Sequence, residues 1–183
     1  MLRVETTDYG WWYLCPGDGK NAFACCVTDG LGARAAGIAH TRPWNDRFKT
    51  TNISRQFGNS ATASVINAIS ASTVSLPLKQ GEFWIIAGDA AVKLDPLGSS
   101  GTITAIESGR RAATAVADAL NGKMASVENY ERWNNGLIET FVRQRNGHYA
   151  IQIHRYDEGF WHRRADRDIF QKSQTEDKVL LRT

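Results

Sequence analysis

The chain has 183 residues, 42% of them hydrophobic and 22% charged, with a formal net charge of +3. That is enough for one good core, or a domain and part of another, and too little positive charge to argue for nucleic acid. No apolar run reaches membrane-spanning length, the opening MLRVETTDYG lacks the apolar centre of a secretion signal, and three cysteines do not make a disulfide framework. The expected setting is a reducing cytoplasm, with no membrane and no nucleic-acid partner.

Taken in order, Gly10 to Cys15 and Asn21 to Thr28 are aromatic and apolar runs around Pro16-Gly17-Asp18-Gly19, the signals of a β-hairpin. Alternation places Trp11, Tyr13 and Cys15 on one face and Trp12 and Leu14 on the other. Cys25 and Cys26 have no basic neighbour in sequence to lower a thiol pKa. As successive strand residues they face opposite ways, so each reads as a small buried hydrophobe. Residues 30–37, GLGARAAG, come nearest to a G-x-G-x-x-G dinucleotide fingerprint, but the last glycine is two places late. Pro43 is expected to truncate any following helix, and no second strand ending in an acid follows, so this stretch reads as a loop. From Thr41 to Ala61 the text is polar, basic and aromatic. It predicts a connecting region with short helices around Trp44 to Phe48 and Ser60 to Ser70, and Arg42, Arg47, Lys49 and Arg55 as a solvated surface. Thr73 to Leu78 predicts a short strand ended or edged by Pro77, and Lys79-Gln80-Gly81 a turn.

The stretch from Phe83 to Leu120, FWIIAGDAAVKLDPLGSSGTITAIESGRRAATAVADAL, is the most informative. It predicts a short buried strand over Phe83 to Ala87 that stops at Gly88-Asp89, a loop with Pro96, Gly98 and Gly101, and then a long helix. Ile103, Ile106, Ala113, Val116 and Leu120 recur on that helix at helical spacing, with Ala105, Gly109 and Ala112 between them. A bare carboxylate at a strand end accepts from sugar-type hydroxyls. The helix N-terminus offers unpaired N–H groups and a positive dipole to an electron-rich atom.

GDAA, then Pro96, then Gly98-Ser99-Ser100-Gly101, then an apolar helix resembles the second FAD motif of flavin-dependent aromatic monooxygenases and halogenases. The resemblance implies that Gly88-Asp89 holds the ribityl chain and that Pro96, Gly98, Ser99, Ser100 and Gly101 run along the isoalloxazine ring. It also implies that the helix start at Thr102 points at the pyrimidine end, where reduction builds negative charge. Many members carry His after GDAA where this chain has Val92. The run Trp11 to Pro16, W-x-Y-x-C-P, is similar in degenerate form to the W-x-W-x-I-P motif of flavin-dependent halogenases. In the resembled family such strands belong to the substrate domain, which makes Trp11 and Tyr13 candidates for the aromatic wall of a substrate site.

After Leu120, Asn121-Gly122 is a helix stop, and Ser126 is expected to cap a helix from Val127 to about Gln144. Tyr130, Trp133, Leu137, Phe141 and Val142 form its stripe, with Gly136 weakening it by about 1 kcal/mol relative to alanine. Arg143 to Arg167 mixes Arg, His and aromatics. It reads as a C-terminal helix whose aromatics dock on the FAD domain while its arginines stay in water, with a basic surface for an acidic partner as the alternative. Phe160-Trp161-His162-Arg163-Arg164, after Tyr130-Glu131-Arg132-Trp133, resembles the C-terminus of halogenase-like flavoproteins, especially those associated with maturing protein-derived quinone cofactors. The four histidines have no zinc spacing, so no metal is expected. No general acid or base is identifiable, and the catalytic residues stay unassigned.

The expected architecture is a mixed α/β piece of a glutathione-reductase-type FAD fold. Residues 1–80 would be a partial substrate sheet, 81–122 the second half of the FAD domain, 123–170 a helical segment and 171–183 a frayed tail. The implied activity is FAD-dependent, monooxygenase-like hydroxylation of an aromatic substrate, with NAD(P)H as co-substrate. The substrate would be a small aromatic molecule or a tryptophan-bearing protein. The expected piece lacks the βαβ unit that seats the pyrophosphate, so two alternatives stand: a non-catalytic or split-enzyme fragment needing an N-terminal FAD-domain chain, and a halogenase-like protein.

Overall fold

A computed structural model describes residues 2–18, 21–55, 61–76, 84–157 and 159–165. The chain is mixed α/β with small antiparallel sheets, and it divides into two units. One comprises Met1–Ile69 with Tyr149–Asp166, the other Ser70–His148 with Arg167–Thr183. Among the described residues no helix is long and apolar enough to cross a membrane.

The first unit is built on β1 (Arg3–Thr7), β2 (Gly10–Pro16) and β3 (Ala22–Val27), antiparallel in that order. The β2–β3 hairpin is as expected, with Trp12 opposite Cys26 and Trp11 opposite Val27. The extra strand β1 turns into β2 at Gly10, whose φ is +151°; a Cβ there would lie 2.1 Å from the Val27 carbonyl oxygen, so only glycine fits. Alternation sends Trp12 and Leu14 into a core with Ala36, Ile38, Trp44, Phe48 and Ile53. Trp12 meets Trp44 edge-on at 5.1 Å, and Trp44 stacks on Phe48 at 5.3 Å. Cys26 packs against this core and no cysteine is bridged. Cys25 and Cys26 are half-buried, and burial pushes the Cys25 thiol up and the Cys26 thiol up to about 12, the opposite of what activates a nucleophile.

Residues 30–37 are not a loop. They form α1 (Gly30–Ala36), capped by Asp29, whose carboxylate accepts from the Gly32 amide at 2.7 Å, and closed by Gly37 at φ 67°. Pro43 does not truncate a helix either. It lies in the first turn of α2 (Thr41–Lys49), where an amide N–H has no intrahelical partner to lose. A short α3 (Asn52–Arg55) follows. The helix expected over 60–70 is absent from the described residues 61–70. There the Asn45 side chain takes both backbone groups of Ala63, at 3.0 and 2.7 Å, bonds that hold this segment in place of a helical ladder.

The C-terminal aromatics dock on this sheet unit. The Tyr156 hydroxyl donates to the Thr6 carbonyl at 2.7 Å and the Trp161 indole to that of Thr7, also at 2.7 Å. Trp161, in α6 (Phe160–Ala165), meets Tyr149 edge-on at 5.3 Å. Arg163 does not stay in water: its guanidinium grips Asp29 with two bonds of 2.8 and 2.9 Å. Burial pushes the Asp29 carboxyl up, but the Arg163 guanidinium and Gly32 amide outweigh it. The net result lies below the ordinary 3.8.

The second unit holds β4 (Val74–Ser75) paired with β5 (Val92–Lys93), α4 (Gly101–Leu120) and most of α5 (Ala125–Ile153). Of the strand expected over 73–78, the described residues 73–76 contain β4, while Pro77 to Gly81 and Phe83 fall outside the described residues. The buried strand expected up to Ala87 is not formed. Trp84 makes an isolated bridge and is exposed, and 85–87 join no ladder. Helix α5 starts earlier and runs further than expected, through Gly136 and Gly147 to Ile153. Ser126 does not cap it, because its hydroxyl donates to the Asp118 carboxylate. The face of α5 turned inward carries Tyr130, Ile138 and Phe141, and also Asn134 and Arg145, the latter donating to Thr73 and Asn146.

Helix α4 is turned the other way from its apolar stripe. Its buried residues are Ser108, Ala112 and Ala115, whereas Ile103, Ile106 and Leu120 are 74%, 69% and 85% exposed. The small side chains admit Val127 and Tyr130 of α5 at close range. Bulky residues at those positions would hold the helices apart.

Candidate functional site

The site is built around the turn that ends the 85–87 segment. Ile85, Ile86 and Ala87 pack into the two small cores of the second unit, against residues of α4 and α5. Their backbone is satisfied by side chains instead of a neighbouring strand. The Gly88 amide donates to Ser108 Oγ at 2.8 Å, Ser108 Oγ lies 2.7 Å from the Tyr130 hydroxyl, and that hydroxyl donates to the Ile86 carbonyl at 3.0 Å. Since Tyr130 spends its proton on Ile86, Ser108 is the donor between the two hydroxyls. The result is a closed one-way relay from one backbone group to another two residues away, buried at Ser108 and Tyr130.

This relay fastens a 3-10 turn, Gly88–Ala90, against α4. Gly88 has φ 62°, left-handed and suited to glycine, and a Cβ there would touch Ala105 at 3.6 Å. The turn leaves Asp89 exposed, free to accept hydrogen bonds from outside the chain. A second 3-10 turn, Pro96–Gly98, follows, with the buried Asp95 accepting from the Leu97 amide at 2.9 Å. Gly98 comes so near Phe141 that a Cβ would stand 3.0 Å from the ring edge. Ser99 takes a left-handed φ of 48°, a conformation that costs a non-glycine residue about 1–2 kcal/mol. It swings the chain directly into α4.

Helix α4 begins at Gly101, one residue before Thr102, and Ser100 in the cap position makes no side-chain bond to it. Gly98, Ser99 and Thr102 are exposed and Ser100 and Gly101 half-buried. The first-turn amides of α4 therefore stay available, with the helix dipole behind them. Gly88, Asp89, Pro96, Gly98, Ser99, Ser100, Gly101 and Thr102 are thus gathered into two turns and one helix start within a single unit.

Trp11 and Tyr13 belong to the other unit. Their rings share a sheet face at 5.6 Å and 34°, but Trp11 is only 2% exposed, so little of its ring is open to a ligand. Ser108 is a positioning residue that sequence reasoning missed, and Tyr130 was read only as part of an apolar stripe. A serine on the small-residue face of a helix, with tyrosine as the first aromatic of the next helix, was the available signal. Among the described residues no group of three or more His, Cys, Asp or Glu could hold a metal ion.

No protein-family model and no solved structure matches the chain. Among curated proteins, the chain is 25% identical over 177 residues to "Putative FAD-dependent oxidoreductase LodB" of Marinomonas mediterranea, an alignment covering 88% of this chain and 44% of that protein. The chain is therefore similar to somewhat less than half of a protein named for an FAD-dependent oxidation–reduction.

Proposed function

We propose that this chain forms the flavin-facing part of an FAD-dependent oxidoreductase with a glutathione-reductase-type FAD fold, hydroxylating an aromatic substrate. The observation that carries the reading is the pairing of an exposed Asp89, on a turn locked to α4, with the open amide end of that same helix. A carboxylate that only accepts and a helix start that only donates suit the two faces of a flavin: ribityl hydroxyls for the first, the pyrimidine end for the second. The donors of the α4 start and the acceptor at Asp89 fit that group. The name of the similar Marinomonas protein supports the same cofactor.

When bound, FAD supplies the electron transfer and the oxygen chemistry. The chain's own residues bind, orient and polarise. Asp89 would hold the sugar-alcohol chain, the Pro96 to Gly101 backbone would run along the ring edge without bulky side chains, and the α4 dipole would favour negative charge at the ring. The aromatic substrate would be a small molecule or a tryptophan side chain of a protein.

A second reading stands beside it: the chain spans 44% of LodB, and FAD would then be held only together with a polypeptide bearing the pyrophosphate-binding βαβ unit. The test is FAD titration of the full chain, alone and with a flavoprotein half bearing a G-x-G-x-x-G unit, followed by flavin absorbance through gel filtration. Asp89→Ala should weaken FAD binding about 10–100-fold, as expected for one charge-assisted hydrogen-bond partner. Unchanged affinity in an assembly that does bind FAD would remove the assignment. Colour retained by the chain alone would remove the two-polypeptide reading.

A further inference from the structure

Further along α4, and separate from the Asp89 turn, a cleft of about 170 Å³ opens between this helix and the start of α5. It is lined by Arg110, Arg111, Thr114, Ser126, Asn129 and Tyr130. Arg110 lies nine residues beyond Gly101, about 13 Å along the helix. The volume is well below the roughly 300–1,000 Å³ of ordinary cofactor pockets, so the cleft suits a small group and not a dinucleotide.

Its chemistry is one-sided. Both oxygens of Glu107 are committed, taking Arg110 Nε and Nη2 at 2.9 and 2.7 Å and Arg111 Nε at 2.7 Å. Those bonds hold the Glu107 carboxyl down to about 2, so it stays ionised and keeps both guanidinium planes in place across the working pH range. Arg111 is further fixed by lying over the Trp133 ring at 4.9 Å. The Asn129 Oδ1 accepts from Arg132 at 2.8 Å, the Ser126 hydroxyl donates to Asp118, and the Thr114 hydroxyl donates to the Arg110 backbone carbonyl at 3.2 Å. The Tyr130 hydroxyl is spent in the buried relay. Arg111 Nη1 and Nη2, Arg110 Nη1 and Asn129 Nδ2 remain, and all four are donors. Around the cleft Arg110, Arg111 and the Arg132 that donates to Asn129 stand against two carboxylates, Glu107 at its edge and Asp118 behind Ser126, so the formal balance of these groups is positive by one.

We propose that this cleft is a binding site for the phosphate group of a soluble phosphate monoester. Unspent donors from three residues suit a tetrahedral dianion with several oxygens better than a carboxylate with two. The two arginines are pre-positioned, so little side-chain freedom is lost on binding.

The test uses the full chain, nitrogen-15 labelled, titrated with inorganic phosphate, glycerol 3-phosphate and acetate against sodium chloride of matched ionic strength. Saturable shifts are expected at the Arg111 Nε–H and Asn129 amide signals with both phosphate probes. Arg111→Gln should weaken binding about tenfold or more, the loss of one charge-assisted partner, and Asn129→Ala by a smaller factor. Lys49→Gln, in the other unit, should change nothing. Arg110, Arg111 and Asn129 are surface residues, and an unchanged thermal midpoint confirms that each variant is folded. Shifts that merely follow ionic strength, equal affinity for acetate, binding indifferent to Arg111→Gln, or retention on phosphatidic acid vesicles without any response to glycerol 3-phosphate would each overturn the proposal. None of these readouts involves FAD, so failure here leaves the Asp89 reading standing, and the reverse holds too.

Discussion

The two units hold together by different chemistry. The first uses large rings: Trp12, Trp44 and Phe48 around one side of the sheet, with Tyr149, Phe160 and Trp161 forming a second aromatic cluster. The second packs α4 on α5 largely through alanines, a serine and a tyrosine, with hydroxyls doing what a sheet ladder would otherwise do for 86–88. Ring packing buries much apolar surface and rewards rigidity. A core of small residues buries less, but it lets α4 and α5 approach closely and leaves a turn and a helix start open to solvent. The unit whose helices meet through small residues thus carries the candidate binding features, on loops and a helix start where backbone groups can be offered to a ligand.

Substitutions can break this contrast, and the largest effect belongs to the first unit. Trp12→Ala should cost about 3–5 kcal/mol, the range for deleting a buried aromatic, seen as a lower urea midpoint. A cost below about 1 kcal/mol would mean that the rings do not dominate that core. Next comes Asp29→Ala, which removes both the α1 cap, worth about 1 kcal/mol, and the charge-assisted bonds to Arg163, worth about 1.5–3 kcal/mol.

The same residue carries a pH signature. Its folded-state pKa is depressed, so its contribution is fully present above the unfolded value near 3.8 and is lost as pH falls through the lower folded value. Acid unfolding followed by circular dichroism should become less steep in Asp29→Asn, whose amide does not titrate; an identical acid limb would contradict this.

Smaller effects sharpen the picture of the second unit. Ser108→Ala should cost about 1–3 kcal/mol by leaving the Gly88 amide unpaired. Combined with Tyr130→Phe it should be non-additive by more than 0.5 kcal/mol, because both residues belong to one relay. Strict additivity would show that the two hydroxyls act separately. The smallest effect is expected for Ile106→Ser, within about 0.5 kcal/mol of the parent, since that side chain points outward in spite of its place in the apolar stripe. A loss above 2 kcal/mol would show that the stripe is buried after all.

Much of this was legible in residue order. The hairpin followed from aromatic alternation around Pro16-Gly17-Asp18, the stop of α4 from Asn121-Gly122, and the short α2 from Trp44 and Phe48. Three readings failed for one reason: each judged a segment by its own text. GLGARAAG reads as a loop because its last glycine comes too late for a dinucleotide turn and Pro43 follows, yet Asp29 at one end and Gly37 at the other make it a capped helix. FWIIA reads as a buried strand because it is apolar, but Tyr130 takes the Ile86 carbonyl and Ser108 the Gly88 amide just beyond it. The α4 stripe reads as a packing face by its helical spacing, while packing selected the alanine face.

By itself, the amino-acid order determined the local pieces: where turns fall, where helices stop, and that a bare aspartate, a proline–glycine loop and a helix start come in sequence. Those depend on backbone preferences and short-range spacing, which neighbouring residues set almost alone. Only the tertiary structure decided which face of α4 is inside, that Arg163 closes on Asp29 across 134 positions, and that two hydroxyls from different helices hold the Asp89 turn. Long-range contacts depend on the shape and volume of surfaces brought together by folding, and spacing along the chain carries no record of which surfaces those are.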